Sequence, residues 1–118
     1  MRQHLLASSL LIALAAQVDA QPALDDVTPC SVSVRAFTSK DEEQMREVGK
    51  FMDQVFEQLD REHTKYGEPG IVGDQLANVL RMMAAGFCQQ NPRSTISIEA
   101  AKAYRYTRNF RVRAGIEP

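Results

Sequence analysis

Residues 86–101, GFCQQNPRSTISIEAA, hold the second of only two cysteines in this 118-residue chain. An apolar, helix-like stretch runs into Cys88, Pro92 follows shortly after it, and an alanine-rich segment begins beyond a polar turn. Because the residue before a proline disfavours helical geometry, the stretch predicts a helix that stops near Asn91 and a new helix after the turn. The only possible partner of Cys88 is Cys30, 58 positions earlier, so a bridge between them would join distant parts of the fold.

The amino terminus has the pattern of a secretory signal peptide. Arg2 and His4 precede an apolar run over residues 5–16, and small residues end the segment at Ala20. We therefore predict a signal peptide at residues 1–20 that is cleaved after Ala20. A membrane anchor is the competing interpretation, but the run is shorter than the roughly 20 apolar residues that span a bilayer. Export places the rest of the chain in an oxidising compartment.

Two cysteines in an exported chain predict a disulfide. An even cysteine count in an oxidising compartment leaves no thiol over, so we predict a Cys30–Cys88 bridge. The alternative role, as metal ligands, lacks the further cysteines or histidines that a four-coordinate site requires, and we predict no metal site and no cofactor. Closing a loop of this length stabilises a protein by about 4 kcal/mol in the chain-entropy treatment. That is large beside the total stability of about 5–15 kcal/mol of a typical domain.

Helical periodicity predicts an all-α fold, a small helical bundle of three main helices stapled by one disulfide. The first helix is expected from residue 40 to residue 66, with a capping-box pattern at residues 39–42 and Gly67 after its end. The second begins near Val72 or Asp74 and ends before Pro92. The third begins within residues 95–98 and runs toward Phe110.

The segment before the first helix gives a different pattern. Residues 30–37 alternate polar and β-branched side chains, which favours a short strand or an irregular turn over a helix. We therefore predict that residues 21–38 form an extended lead-in. The helical domain is then expected at residues 39–110, followed by a basic C-terminal tail at residues 111–118.

The first two predicted helices each have one apolar face, because apolar residues recur at three- and four-residue steps. These residues are Met45, Val48, Phe51, Met52, Val55, Phe56 and Leu59 in the first helix, and Leu76, Val79, Leu80, Met83 and Phe87 in the second. Flexible methionines suit promiscuous apolar binding, although filling a core is their commoner use.

The chain lacks a recognisable catalytic constellation, so we predict that it is not an enzyme and has no catalytic residue. After the signal peptide, His63 is the only histidine, and we assign it an exposed or helix-capping role. Asp53, Glu57 and Asp60 fall at four- and three-residue steps, which is typical of a solvated helix face. Binding or chaperoning is therefore the favoured class of function.

Arginines alternate with aromatic residues near the carboxyl end, in the stretch YRYTRNFRVR at residues 104–113. In a cytoplasmic protein this pattern would suggest nucleic-acid binding, which we do not predict for an exported one. An acidic protein partner, an anionic membrane surface reached through this arginine-rich tail, and a solvated terminus without a partner all remain open.

Several of these features together resemble the HdeA/HdeB-like periplasmic acid-stress chaperones. The matching positions are Thr28 with Cys30, the aromatic and aspartate cluster at residues 51–56, and Cys88-Gln89-Gln90-Asn91-Pro92 followed by Glu99-Ala100. The resemblance covers most of residues 28–104. It implies a small helical periplasmic protein that forms a homodimer at neutral pH. On acidification such a protein would dissociate, partly unfold with its disulfide intact, and bind denatured periplasmic proteins through the apolar faces of its helices.

The charge balance is compatible with such a response to acid. Removing residues 1–20 leaves 13 lysines and arginines against 14 aspartates and glutamates, a net charge of −1. Protonating every carboxylate and His63 would change this to +14, and repulsion on that scale opens a small protein. The competing hypothesis is an exported, immunity-like protein that binds one specific partner at neutral pH.

Overall fold

The structure, a computed structural model, describes residues 23–113, and both the predicted signal peptide and residues 114–118 lie outside this range. Within it the chain forms four α-helices and no strand. The helices are α1 (Cys30–Ser39), α2 (Glu42–Lys65), α3 (Asp74–Gln90) and α4 (Ile96–Arg113). The all-α class and the disulfide are therefore confirmed. The expected count of three main helices is wrong, since the described region has four.

The additional helix is α1, which occupies the second half of the predicted extended lead-in. Its buried residues Cys30, Ser33 and Ala36 recur at three-residue steps, and their small side chains let α1 pack closely against α3. The alternation of serine and valine was a misleading signal, because packing outweighs the weak helix propensity of these residue types. The helix ends at Lys40, a non-glycine residue in the left-handed region with φ 55°.

The other three helices lie close to their predicted positions. Asp41 is the N-cap of α2 and accepts a hydrogen bond from the Gln44 backbone N–H at 3.2 Å, whereas Ser39, expected in that cap, ends α1 instead. Gly67 follows α2 with a positive φ of 79°, a conformation that glycine adopts at low cost. At its far end α4 continues through Arg113, so the first residues of the predicted tail are helical.

The Cys30–Cys88 disulfide is buried and joins the start of α1 to the last turn of α3, with 4.9 Å between the two Cα atoms. The backbone N–H of Cys30 also donates to the carbonyl of Ser94 at 2.7 Å, which holds α1 against the turn before α4. The most extensive helix contact is between α3 and α4, and α2 packs across both. Among the described residues, no helix combines the length and hydropathy needed to cross a membrane.

Candidate functional site: acidic side chains that bridge elements around an apolar core

The apolar faces predicted for the first two helices lie on α2 and α3 of the structure. They meet in the protein core. Five of the twelve residues are buried: Val48, Phe51, Met52, Phe56 and Leu80. Six others pack against this core while partly buried: Met45, Val55, Leu59, Leu76, Met83 and Phe87. Only Val79 is exposed, at 47%. In the folded chain these faces are thus largely unavailable to a client or to a second copy, and they would have to be uncovered first.

Asp60, near the end of α2, connects that helix to the following loop and to α4. Its two carboxylate oxygens accept hydrogen bonds from the backbone N–H groups of Ile71 and Val72, at 3.0 and 2.9 Å. The hydroxyl of Tyr104 on α4 donates to the same carboxylate. Burial, together with this hydrogen bond, raises the pKa of Tyr104 to about 12, so the phenol remains a donor throughout the neutral and acid range.

Arg108 extends this cluster over the loop. Its Nη2 donates to the Pro69 carbonyl at 2.7 Å and to the Tyr104 hydroxyl at 2.9 Å, and it lies 3.8 Å from Asp60 Oδ1. The guanidinium is buried, and its Nε has no hydrogen-bond partner among the described residues. A buried cation of this kind depends on its neighbouring carboxylate, because an unpaired buried charge is strongly destabilising.

Gly70 allows the loop to approach the Asp60 carboxylate closely. A Cβ added at Gly70 would lie 3.0 Å from Asp60 Oδ2 and 3.3 Å from its Cγ. Since that carboxylate is already held by three donors, it could move away only by weakening them. We name Asp60, Tyr104, Arg108 and the loop backbone of residues 69–72 the Asp60 cluster.

His63, for which we expected an exposed or helix-capping role, lies in the last turn of α2, partly buried beside the Asp60 cluster. Its ring stacks on Tyr104 with 5.7 Å between centroids, and its Nδ1 lies 3.0 Å from Glu68 Oε2. Glu68 also lies 3.7 Å from Arg108 Nη1. His63 therefore packs onto the edge of the cluster.

Asp53 forms a second link, from the middle of α2 to α3. The Nη1 atom of Arg81 lies 2.8 and 3.0 Å from the two oxygens of the Asp53 carboxylate. Both side chains are about one-third exposed, so solvent screens this pair more than the Asp60 cluster. Our assignment of Asp53 and Asp60 to a solvated face was wrong, since both bridge to other elements, while Glu57 is exposed as predicted.

Glu99, in the first turn of α4, holds the turn between α3 and α4. Its carboxylate accepts hydrogen bonds from Lys102 Nζ at 2.8 Å, Ser94 Oγ at 3.0 Å and Asn91 Nδ2 at 3.1 Å. Burial alone would raise the pKa of Glu99, but these hydrogen bonds and the charge of Lys102 together lower it. From the sequence, Asn91 was expected only to lie near the end of one helix, and Glu99 only near the start of the next.

The covalent link and the carboxylate links lie at different positions in the fold. The disulfide joins α1 to α3, whereas the carboxylates of Asp53 and Asp60 join α2 to α3, to the loop and to α4. The polar attachment of α2 therefore depends on carboxylates and not on the disulfide. The described residues contain no cluster of three or more His, Cys, Asp or Glu side chains that could hold a metal ion.

A shallow apolar groove lies on the outside of the bundle between α1, α2 and α3. Phe37 and Met82 line it from α1 and α3, with exposures of 44% and 68%, and Met45 and Gly49 contribute from α2. Of these four residues, only Met45 belongs to the apolar faces predicted from the sequence.

No family model, no curated protein and no solved structure matches the chain.

Proposed function

We propose that this protein is a periplasmic acid-stress chaperone, which exposes apolar surface at low pH and binds denatured proteins to prevent their aggregation. The observation that supports this most is that carboxylates attach α2 to the rest of the bundle, whereas the disulfide joins other helices. Its apolar face is covered by the other helices, its polar attachments depend on ionised carboxylates, and the crosslink that survives acid lies elsewhere.

Protonation would weaken each of the polar links in a definite way. A neutral Asp60 no longer balances Arg108 and is a poorer acceptor for three donors, and a neutral Asp53 loses its attraction to Arg81. Glu99 has a lowered pKa in the folded state, so its contribution is present above the ordinary carboxyl pKa. That contribution disappears as the pH falls through the lower, folded-state value.

Loss of these links would uncover the apolar residues that α2 buries. Val48, Met52 and Phe56 of α2 would separate from Leu80 of α3, while the disulfide keeps α1 and α3 together. The rising positive charge favours this opening and keeps the opened chains from aggregating with each other. The proposed client-binding surface is therefore the core of the neutral-pH fold.

A homodimer at neutral pH, which the family resemblance implies, is part of the proposal with one restriction. Its interface would have to use residues other than the five buried ones of the apolar faces. Sedimentation at pH 7 and pH 3 measures this, and we expect the molecular mass to fall with pH.

Light scattering from an unrelated enzyme that aggregates below pH 3 tests the proposed function. We expect the oxidised protein, at several-fold excess, to suppress scattering at pH 2–3 but not to suppress heat-induced scattering of the same enzyme at pH 7. Unchanged scattering at acid pH would reject chaperoning. A single partner bound one-to-one at neutral pH, by a protein whose structure is constant from pH 7 to pH 2, would support the specific-binding hypothesis instead.

A further inference from the structure

The outward side of α4 carries exposed apolar and basic side chains, with the polar residue Asn109 among them. Four of the nine large apolar side chains exposed in residues 23–113 lie on it. They are Ile98, Tyr106, Phe110 and Val112, with exposures of 59%, 61%, 61% and 50%. At 3.6 residues per turn these four and Arg105 share a face about 160° wide. We name these five residues the outer strip.

The outer strip carries positive charge without any carboxylate. Arg105 is exposed between Ile98 and Tyr106, and Lys102 lies on the same side of the helix. The only acidic residue of α4 is Glu99, which is buried and paired with Lys102. Glu68, on the loop beside α4, faces Arg108 and His63. The exposed charge on the outer strip is therefore positive and comes from Arg105.

This combination fits the interface of an anionic membrane. Amphipathic helices that lie in the plane of a membrane place aromatic and aliphatic side chains at the headgroup boundary and keep arginine or lysine beside them. Attraction to anionic headgroups adds to the burial of apolar surface. An acidic protein groove would satisfy the charge, but it would have to cover a convex helix along most of its length.

We infer that the outer strip of α4 is a docking surface for anionic phospholipid headgroups, on which the folded protein lies at neutral pH. The contact requires Arg105 for the charge and Tyr106 and Phe110 for the apolar part. It is independent of the proposed acid response, because it uses the folded chain and arginine, which stays charged throughout.

Cosedimentation of the oxidised protein with vesicles at pH 7 and low salt tests this inference. We expect binding to vesicles of phosphatidylglycerol and phosphatidylcholine, little binding to phosphatidylcholine alone, and loss of binding in 0.5 M salt. R105Q should weaken partitioning about fivefold, the contribution of one basic residue at an anionic surface. F110S should weaken it about tenfold by removing apolar burial.

Matched variants on other faces separate this surface from a general effect of charge or apolar content. R46Q removes an exposed arginine from α2, and F37S removes an exposed phenylalanine from α1; both should bind as the unchanged protein does. Circular dichroism at pH 7 verifies that all four variants are folded. Failure to bind anionic vesicles, or equal weakening by R46Q and R105Q, would overturn the inference. Binding to an acidic polypeptide without binding to anionic vesicles would overturn it in favour of a protein partner.

Discussion

Replacing Asp60 with asparagine should destabilise the protein at neutral pH. The Asp60→Asn variant removes the charge that faces Arg108 and leaves one amide oxygen where two carboxylate oxygens accepted hydrogen bonds from Ile71 N–H, Val72 N–H and Tyr104 OH. The amide NH₂ group would then oppose a backbone donor. One or two hydrogen bonds to a charged group would be lost, and we expect unfolding to require about 2–4 kcal/mol less free energy at pH 7.

A matched variant on the same helix separates this loss from a general effect of removing a carboxylate. Urea denaturation of the unchanged protein, Asp60→Asn and the control Glu57→Gln should be compared at pH 7. Glu57 is an exposed carboxylate on the same helix, so its variant should match the unchanged protein. Equal stability of the two variants would refute the reasoning.

Three further perturbations test other parts of the account. Glu99→Gln should lower stability at pH 7 but not at pH 2, because the lowered pKa of Glu99 confines its contribution to higher pH; an equal loss at both, by urea denaturation, would contradict this. Gly70→Ala should destabilise the protein by about 1–2 kcal/mol through its contact with Asp60, whereas Gly86→Ala, inside α3 with nothing within 4 Å of its added Cβ, should not lower the thermal midpoint. Reducing the disulfide should lower the unfolding free energy by about 4 kcal/mol, and a reduced protein as stable as the oxidised one would show that the bridge constrains little.

The parts of the fold that depend on local signals could be predicted from the sequence. Acidic residues at the start of α2, Gly67 after it and Pro92 beyond α3 fix the helix ends, and the apolar periodicity between them fixes the inner faces. The Cys30–Cys88 bridge followed from an even cysteine count in a chain predicted to be exported. The helix signals depend on residues that are close in sequence, and the disulfide prediction depends on the cysteine count alone.

The parts that depend on packing between distant residues could not be predicted. Helix α1 forms because Cys30, Ser33 and Ala36 fit against α3, and the local alternation of serine and valine carries no trace of that contact beyond their three-residue spacing. The role of Asp60 depends on Tyr104, 44 positions away, and on the course of a loop. A carboxylate on a helix looks the same in sequence whether it faces water or a buried arginine.

The measurement that tests the central claim most directly is the fluorescence of an apolar dye with the oxidised protein as the pH is lowered from 7 to 2. If acid releases α2 while the disulfide holds, fluorescence should rise cooperatively near or below pH 4, and non-reducing electrophoresis should show an intact crosslink throughout. In Asp60→Asn the rise should begin at a higher pH. A dye signal that stays flat to pH 2 would mean that the core of α2 and α3 remains closed in acid, which contradicts the account.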